Sequence, residues 1–429
     1  MHKNLIAKAL ISVVMIAALT LTGAVPSFAA AGAPKTDASS VILMDASTGE
    51  IIYEKNAREK RDPASVTKIL NCLVVLDNMD LDEEVTIDFA PETEGSVIKL
   101  QRGEKLTIRD LLYGMMISSG NDAAEALAIL TAGNVPDFCD MMNEKAAELG
   151  ATDTKYKNPN GLNPLDGVNN ITTAYDVATV IRSAVKNPQF AEIVSTPKYY
   201  IEATNKSEKR KLINSNRCLW DKKTKVEIDG EEVCLKYEGC QGVKTGYSST
   251  AGDCFAGFAK RGNTGLIAVV LNASHEIPKF RDAVMLWDYG FENFRTYTVA
   301  KAETEQDQLK IKAGSLREVA VGPEENLDVT VGINDSGEEY TCETVKNADA
   351  LTAPVAKGEV VGYVIARDAS GKEAARRNLI ALETAEKGGP LSQIGIADED
   401  LPVFLIVVLT ALLILIVAII LIRQRRKNG

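Results

Sequence analysis

Histidine is nearly missing from this chain: His2 and His275 are the only two in 429 residues. His2 stands in a leader segment expected to be removed, which would leave one. Hydrolytic chemistry that runs through an imidazole base or a histidine-bound zinc is thereby disfavoured. Closely paired cysteines are missing too. Cys72, Cys139, Cys218, Cys234, Cys240, Cys254 and Cys342 contain no Cys-x-x-Cys, so the signal for a zinc or thioredoxin-like site is absent. An odd count in an exported protein leaves at least one free thiol, and most are expected as reduced, buried small hydrophobes. There is no basic excess: the formal net charge is −11, and a nucleic-acid partner, which needs a basic surface, is not expected. No internal repeat or biased tract is present, and the composition is globular.

Long apolar runs occur at the two ends. Met-His-Lys-Asn precedes an apolar run from Leu5 to Val25 and then Pro26-Ser27-Phe28-Ala29-Ala30. A basic start, an apolar middle and small residues at the end predict a signal peptide over 1–30. Leu401 to Ile422 is almost unbroken apolar sequence followed by Arg423-Gln424-Arg425-Arg426-Lys427. About 20 apolar residues cross a bilayer. The basic tail, 423–429, is expected in the cytoplasm, with the body of the protein outside the cell membrane and tethered at its C-terminal side.

Between these ends, Val41–Met44 and Glu50–Tyr53 flank the turn Ser47-Thr48-Gly49 and read as a hairpin. A helix is expected from about Ser65, with Ile69, Leu70, Leu73 and Leu76 on one face. Thr107-Ile108-Arg109-Asp110 reads as a capping-box start to a helix over Leu111–Ile117. That helix breaks at Ser118-Ser119-Gly120-Asn121 and resumes over Ala123–Leu130. Further helices are expected at Asp137–Leu149 and Thr173–Val185. Strands follow at Asp253–Lys260 and Leu266–Ala273, joined by Arg261-Gly262-Asn263-Thr264. A helix over about Lys279–Tyr289 is expected to end on Gly290 as its C-cap. These elements define a mixed α/β (α+β) domain with a helical insertion over 32–297. A small all-β domain over 298–383, a linker over 384–400 and the apolar helix over 401–422 follow.

A serine hydroxyl near neutral pH needs an adjacent base. With histidine scarce, a lysine three residues later on a helix can serve, because i and i+3 share a face. Ser-x-x-Lys occurs four times, at Ser65, Ser96, Ser183 and Ser195. Ser183 closes an expected helix, Ser195-Thr-Pro-Lys198 is interrupted by proline, and Ser96 lies in loop or strand. Only Ser65 opens an apolar helix, after Asp62-Pro63-Ala64, so Ser65 and Lys68 are the candidate nucleophile and base. Ser119-Gly120-Asn121 is the one Ser-x-Asn and interrupts a helical pair. Lys244-Thr245-Gly246 is the one Lys-Thr-Gly and precedes the strand hairpin. Taken singly, these two read as an inter-helix turn and an edge strand with an exposed lysine; their order and context point beyond that.

In this order the three motifs resemble those of the penicilloyl serine transferases, specifically the low-molecular-mass penicillin-binding proteins of the D-alanyl-D-alanine carboxypeptidase type. The resemblance extends to Val41-Ile-Leu-Met-Asp-Ala-Ser-Thr-Gly-Glu, Pro63-Ala-Ser-Val-Thr-Lys, Gly242-Val-Lys-Thr-Gly-Tyr and Leu351-Thr-Ala-Pro-Val-Ala-Lys-Gly-Glu. It implies a penicillin-recognising serine transpeptidase-like fold. It also implies roles. Ser65 would form an acyl-enzyme, Lys68 would take its proton, and Ser119 would relay a proton to the leaving amine. Asn121 would bind the substrate's peptide backbone, and Lys244 and Thr245 its terminal carboxylate. Gly246 and Tyr247 would line the same strand, with the N–H groups of Ser65 and Tyr247 forming the oxyanion hole. The implied partners are peptidoglycan stem peptides, β-lactams as covalent inhibitors, and the membrane; no metal or cofactor is implied. Relatives often carry histidine in the segments equivalent to Asn158-Pro-Asn-Gly-Leu and Val168-Asn-Asn-Ile, and this chain does not, which bears on substrate preference. The alternatives are an endopeptidase acting on cross-links, a class A-like β-lactamase, and a silent peptidoglycan-binding relative. No Glu-x-x-x-Asn lies between Asn121 and Lys244, which counts against the second; intact motifs count against the third.

Overall fold

Strand β1 (Ser40–Asp45) is buried along its whole length, a pattern that requires cover on both faces. The computed structural model describes residues 32–89, 93–163, 169–228 and 230–427; the leader expected over 1–30 lies outside them. β1 pairs with β2 (Ile51–Lys55) across the expected turn. The chain then runs through a helical insertion before returning to the sheet. The insertion contains α1 (Lys68–Asn78), α2 (Ile108–Ile117), α3 (Asn121–Ala132), α4 (Val135–Glu148), α5 (Ala174–Ala184) and α6 (Pro188–Ser195). It also carries three small hairpins: β3 (Glu84–Thr86) with β4 (Lys105–Thr107), β5 (Lys198–Ile201) with β6 (Arg210–Ile213), and β7 (Lys225–Ile228) with β8 (Glu231–Cys234). The sheet is completed by β9 (Cys240–Ser248), β10 (Gly252–Arg261) and β11 (Thr264–Ala273), in the order β2-β1-β11-β10-β9.

Helix α1 is buried at every position from Lys68 to Val75, as befits a helix wrapped by neighbours. It touches α2 to α6 and strand β9. Ile42, Met44, Val269 and Leu271 join Ile69, Leu70 and Leu73 in one core, each such side chain contributing about 1.5–3 kcal/mol relative to exposure. The other sheet face is covered by α7 (Glu276–Asn293), whose Phe280 and Trp287 pack edge-on against Phe255.

Three local expectations change. α1 starts at Lys68, and Ser65 instead occupies a 3-10 turn, Ala64–Thr67, because Pro63 precedes a tight bend. Helix α7 runs through Gly290, with Phe294 as its C-cap. Gly290 is there for packing: a Cβ would lie 2.5 Å from Leu266 and 3.0 Å from Leu43. Helix α6 was not expected; Pro188 starts it at N1, capped by Asn187, a use of proline that helix starts favour.

The second domain opens with β12 (Phe294–Ala300), a few residues earlier than expected, paired with a strand over Leu327–Gly332. It contains β13 (Asp307–Lys312), β14 (Glu318–Pro323), β15 (Leu327–Gly332), β16 (Thr341–Lys346), β17 (Ala350–Thr352), β18 (Val360–Arg367) and β19 (Glu373–Ala381). Six of these form a sheet of order β16-β18-β19-β14-β13-β17, around Leu309, Val319, Val321, Val364 and Leu379. The two domains meet at the β1–β2 turn. Buried Asp45 accepts from Thr296 Oγ1 at 2.7 Å and Thr330 Oγ1 at 3.1 Å, and Arg377 donates to Ser47 O at 2.9 Å. Beyond β19 lie residues 384–400, expected as a linker. They carry 3-10 turns at Pro390–Ile394 and Asp398–Asp400 before α8 (Leu401–Lys427), an apolar helix long enough to cross a membrane.

Candidate active site

The turn that carries Ser65 is held from both sides. Asp62 Oδ1 accepts the Ala64 N–H at 2.9 Å, and Ala64 adopts φ +46°, a left-handed conformation that costs a residue with a Cβ about 1 kcal/mol or more. Asp62 Oδ2 also accepts from Thr250 Oγ1, from Asn169 Nδ2 at 3.1 Å and from Ser248 Oγ at 3.5 Å. One carboxylate thus joins the turn before Ser65, the β9–β10 connection and the segment ahead of α5. Gly161 lies over the turn so closely that a Cβ there would sit 1.9 Å from Ala64 O.

One helical turn after Ser65, Lys68 is fully buried. Its Nζ lies 2.8 Å from Ser65 Oγ, 2.7 Å from Asn121 Oδ1 and 2.6 Å from Asn160 O. No carboxylate pairs with it among the described residues. Burial, and next the charge of Lys244, hold its pKa well below the ordinary lysine range, with Asp122 opposing. A lysine in this setting gives up its proton more readily than a solvated one.

Asn121 opens α3 after the helical break. The capping box at Thr107 and Asp110 starts α2 as expected, and Ser118 ends it. Ser119 follows at φ +60° and is half-buried; its hydroxyl forms no hydrogen bond among the described residues. The Asn121 N–H donates to Ser96 O at 2.7 Å, and its Nδ2 to Glu94 O at 2.6 Å. Asp122, absent from the sequence expectations, accepts the N–H groups of Ile98 at 2.9 Å and Leu100 at 3.0 Å. It thereby ties the 94–100 segment beside the motif.

On β9, Lys244 is also buried and donates to Thr245 O at 2.9 Å. Burial, and then the charge of Lys279, push its pKa down to about 7. It too has no carboxylate partner among the described residues, whereas Lys279 pairs with Asp253 at 2.6 Å. The Thr245 and Ser215 hydroxyls are 2.6 Å apart. Gly246 lets β9 run beside the Ser65 turn: a Cβ would lie 3.0 Å from Pro63 O and 3.2 Å from Ser65 N. Tyr247, next along, is 68% exposed.

Three separated motifs therefore converge: Lys68 touches Ser65 and Asn121, and β9 abuts the Ser65 turn. Asn158–Leu162, noted from the sequence only for its missing histidine, lies against the same site, with Asn160 O 2.6 Å from Lys68 Nζ. Asn71 Nδ2 donates to Pro159 O at 2.9 Å, and Asn170 Oδ1 accepts from Lys157 N at 2.7 Å and Asn158 N at 3.1 Å. Asn170 Nδ2 also reaches Thr67 Oγ1 at 3.0 Å. The signal available for these was a polar amide, Asn71, set in an otherwise apolar helix. All seven cysteines are free thiols.

Fold and site together define a serine-type peptidase of the penicillin-binding class, and comparison with known proteins agrees. Residues 27–275 match the D-alanyl-D-alanine carboxypeptidase family, and 294–387 match the C-terminal domain of penicillin-binding protein 5. The chain belongs to the serine-type D-alanyl-D-alanine carboxypeptidase family. It is similar to D-alanyl-D-alanine carboxypeptidase DacF of Bacillus subtilis, at 31% identity over 89% of this chain and 96% of the relative. It is also similar to DacC of Escherichia coli, at 32% identity over 83% and 86%. Among solved structures, penicillin binding protein 5 from Haemophilus influenzae superposes with a TM-score of 0.64 at 27% identity, covering 82% of this chain and 98% of that one.

Proposed function

We propose that the chain removes the terminal D-alanine of peptidoglycan stem pentapeptides through an acyl-enzyme on Ser65, and that penicillins acylate the same atom. The observation that carries this reading is the buried Lys68, within 2.8 Å of Ser65 Oγ and without a carboxylate partner among the described residues. Neutral Lys68 accepts the hydroxyl proton as Ser65 attacks the carbonyl of the D-Ala-D-Ala bond. The N–H groups of Ser65 and Tyr247 face the oxyanion. Ser119 passes its hydroxyl proton to the departing amine and recovers one from protonated Lys68, and D-alanine leaves. Water then takes the acyl group from Ser65, restoring the hydroxyl. Lys244 supplies the point charge for the substrate's terminal carboxylate, Thr245 a hydroxyl beside it, and Asn121 a partner for the peptide. Gly246 and Tyr247 form the adjoining wall. Helix α8 anchors the protein in the cell membrane, with the catalytic domain outside the cytoplasm.

Ser65→Ala tests the assignment. A fluorescent penicillin labels the wild type covalently and leaves the variant unlabelled, and D-alanine release falls by about 10⁴-fold or more. Equal labelling of both would refute the role of Ser65.

A further inference from the structure

Residues 384–400 separate the β domain from α8, and they are bound to that domain rather than strung out from it. Ser315 N donates to Glu386 O at 2.8 Å, and Gly388 N to Ala313 O at 3.0 Å. Gly388 approaches the β13–β14 turn so closely that a Cβ would lie 2.4 Å from Gly314 O. Ala385 and Ser392 are buried.

The acidic run that precedes α8 closes the arrangement. Asp398 accepts the Gly389 N–H with both oxygens, at 2.9 and 3.1 Å. Glu399 accepts the Arg317 N–H at 2.7 Å, and its own N–H donates to Ser315 O at 3.1 Å. These carboxylates are thus occupied by backbone donors, and the start of α8 is fastened to the β domain. Because Gly389 meets Asp398, the turn Pro390–Ile394 is folded back beside the start of the helix. That turn points Ser392 inward and leaves Ile394 73% exposed.

An isoleucine held out at the mouth of a bilayer-length helix has one apolar medium within reach. We propose that residues 384–400 form a rigid foot that stands the β domain directly on the lipid surface and sinks Ile394 into the interfacial layer beside α8. The proposal rests on α8 being the membrane anchor. Burying one isoleucine adds modest affinity, so the consequence is geometric: the height and tilt of the active site are set by folded structure, not by a flexible tether.

The full chain, reconstituted in vesicles of phosphatidylethanolamine and phosphatidylglycerol, separates the two ideas. The tryptophan of Ile394→Trp is expected to emit at shorter wavelength and to be quenched by lipids brominated near the headgroup. Leu412→Trp, in the middle of α8, is expected to be quenched by lipids brominated deep in the chains. Quenching at 412 with none at 394 overturns the foot and leaves the anchor standing; quenching at neither overturns both. The double variant Asp398→Ala/Glu399→Ala should be cleaved by protease within 384–400 about tenfold faster than wild type, as expected for lost charge-assisted hydrogen bonds. If wild type is cut there as fast as the double variant, the segment is a loose linker and the proposal fails.

Discussion

Lys68 and Lys244 are two buried amines without carboxylate partners among the described residues, and burial lowers the proton affinity of each. Their tasks in the proposed mechanism are opposite: Lys68 must be neutral and Lys244 charged. Burial depresses both, and their neighbours differ: the charge of Lys244 lowers Lys68 further, while burial and then Lys279 hold Lys244 at about 7. The sign of the resulting pH dependence follows. Below about 7 Lys244 is an ammonium and attracts the substrate carboxylate; above it the free enzyme loses that charge. KM for a D-Ala-D-Ala peptide is therefore expected to rise roughly tenfold per pH unit on the alkaline side, with kcat much less affected. In Lys244→Ala this alkaline rise should vanish and KM should be high throughout. Steady-state kinetics across pH 6 to about 9 measure it; an unchanged alkaline rise in the variant would remove Lys244 from the carboxylate site.

At the scale of elements, the turn that carries Ser65 is shaped by partners distant in sequence. Asp62 gathers the Ala64 N–H with Thr250, Asn169 and Ser248, and so couples the turn to the β9–β10 connection. Asp62→Ala should lower the rate of acylation by penicillin by about 10- to 100-fold, with little change in KM, because the turn that carries Ser65 loses its brace. Asp62→Asn keeps an acceptor for Ala64 N–H and should recover part of that rate. Stopped-flow acylation distinguishes the two; equal losses would show that the Ala64 contact is immaterial. The helices of the insertion were legible in outline because their signals are local. Thr107 and Asp110 are three residues apart, and the hydrogen bonds between them close the expected box. Gly290 misled for the same reason: the end of a helix and a close helix–sheet contact both select glycine, and only the packed neighbour, Leu266, separates them.

For the whole molecule, the domain junction centres on Asp45. Burial raises its pKa above the ordinary 3.8, and hydrogen bonds from Thr296, Thr48, Ser47 and Thr330 only partly offset this. A carboxyl whose folded pKa is raised stabilises the protein at low pH and loses that contribution as pH rises through the folded value. Wild type should therefore lose thermal stability relative to Asp45→Asn as pH climbs from about 4 toward neutral. The comparison of the two melting profiles isolates Asp45 from the lysines, which act with the opposite sign. A constant difference between the two proteins at every pH would show that Asp45 does not titrate at the junction. With the foot, this junction would fix the path from membrane to catalytic domain at both ends.

The amino-acid order alone determined the scarcity of histidine, the alternation that makes a β domain, the apolar helix over 401–422, and the motif sequence that singles out Ser65, Lys68, Ser119, Asn121 and Lys244. Each depends on periodicity or on residues a few positions apart, where chain geometry dictates who can meet whom. The fold alone decided that Lys68 is held by the Asn160 carbonyl, 92 residues away, that Asp62 and Asp122 brace the site, and that Gly-Gly-Pro near 388 serves close packing rather than freedom. Those contacts join segments whose separation in sequence carries no preferred distance. They arise only when burial of the apolar core brings the segments together and the polar groups trapped between them must find partners.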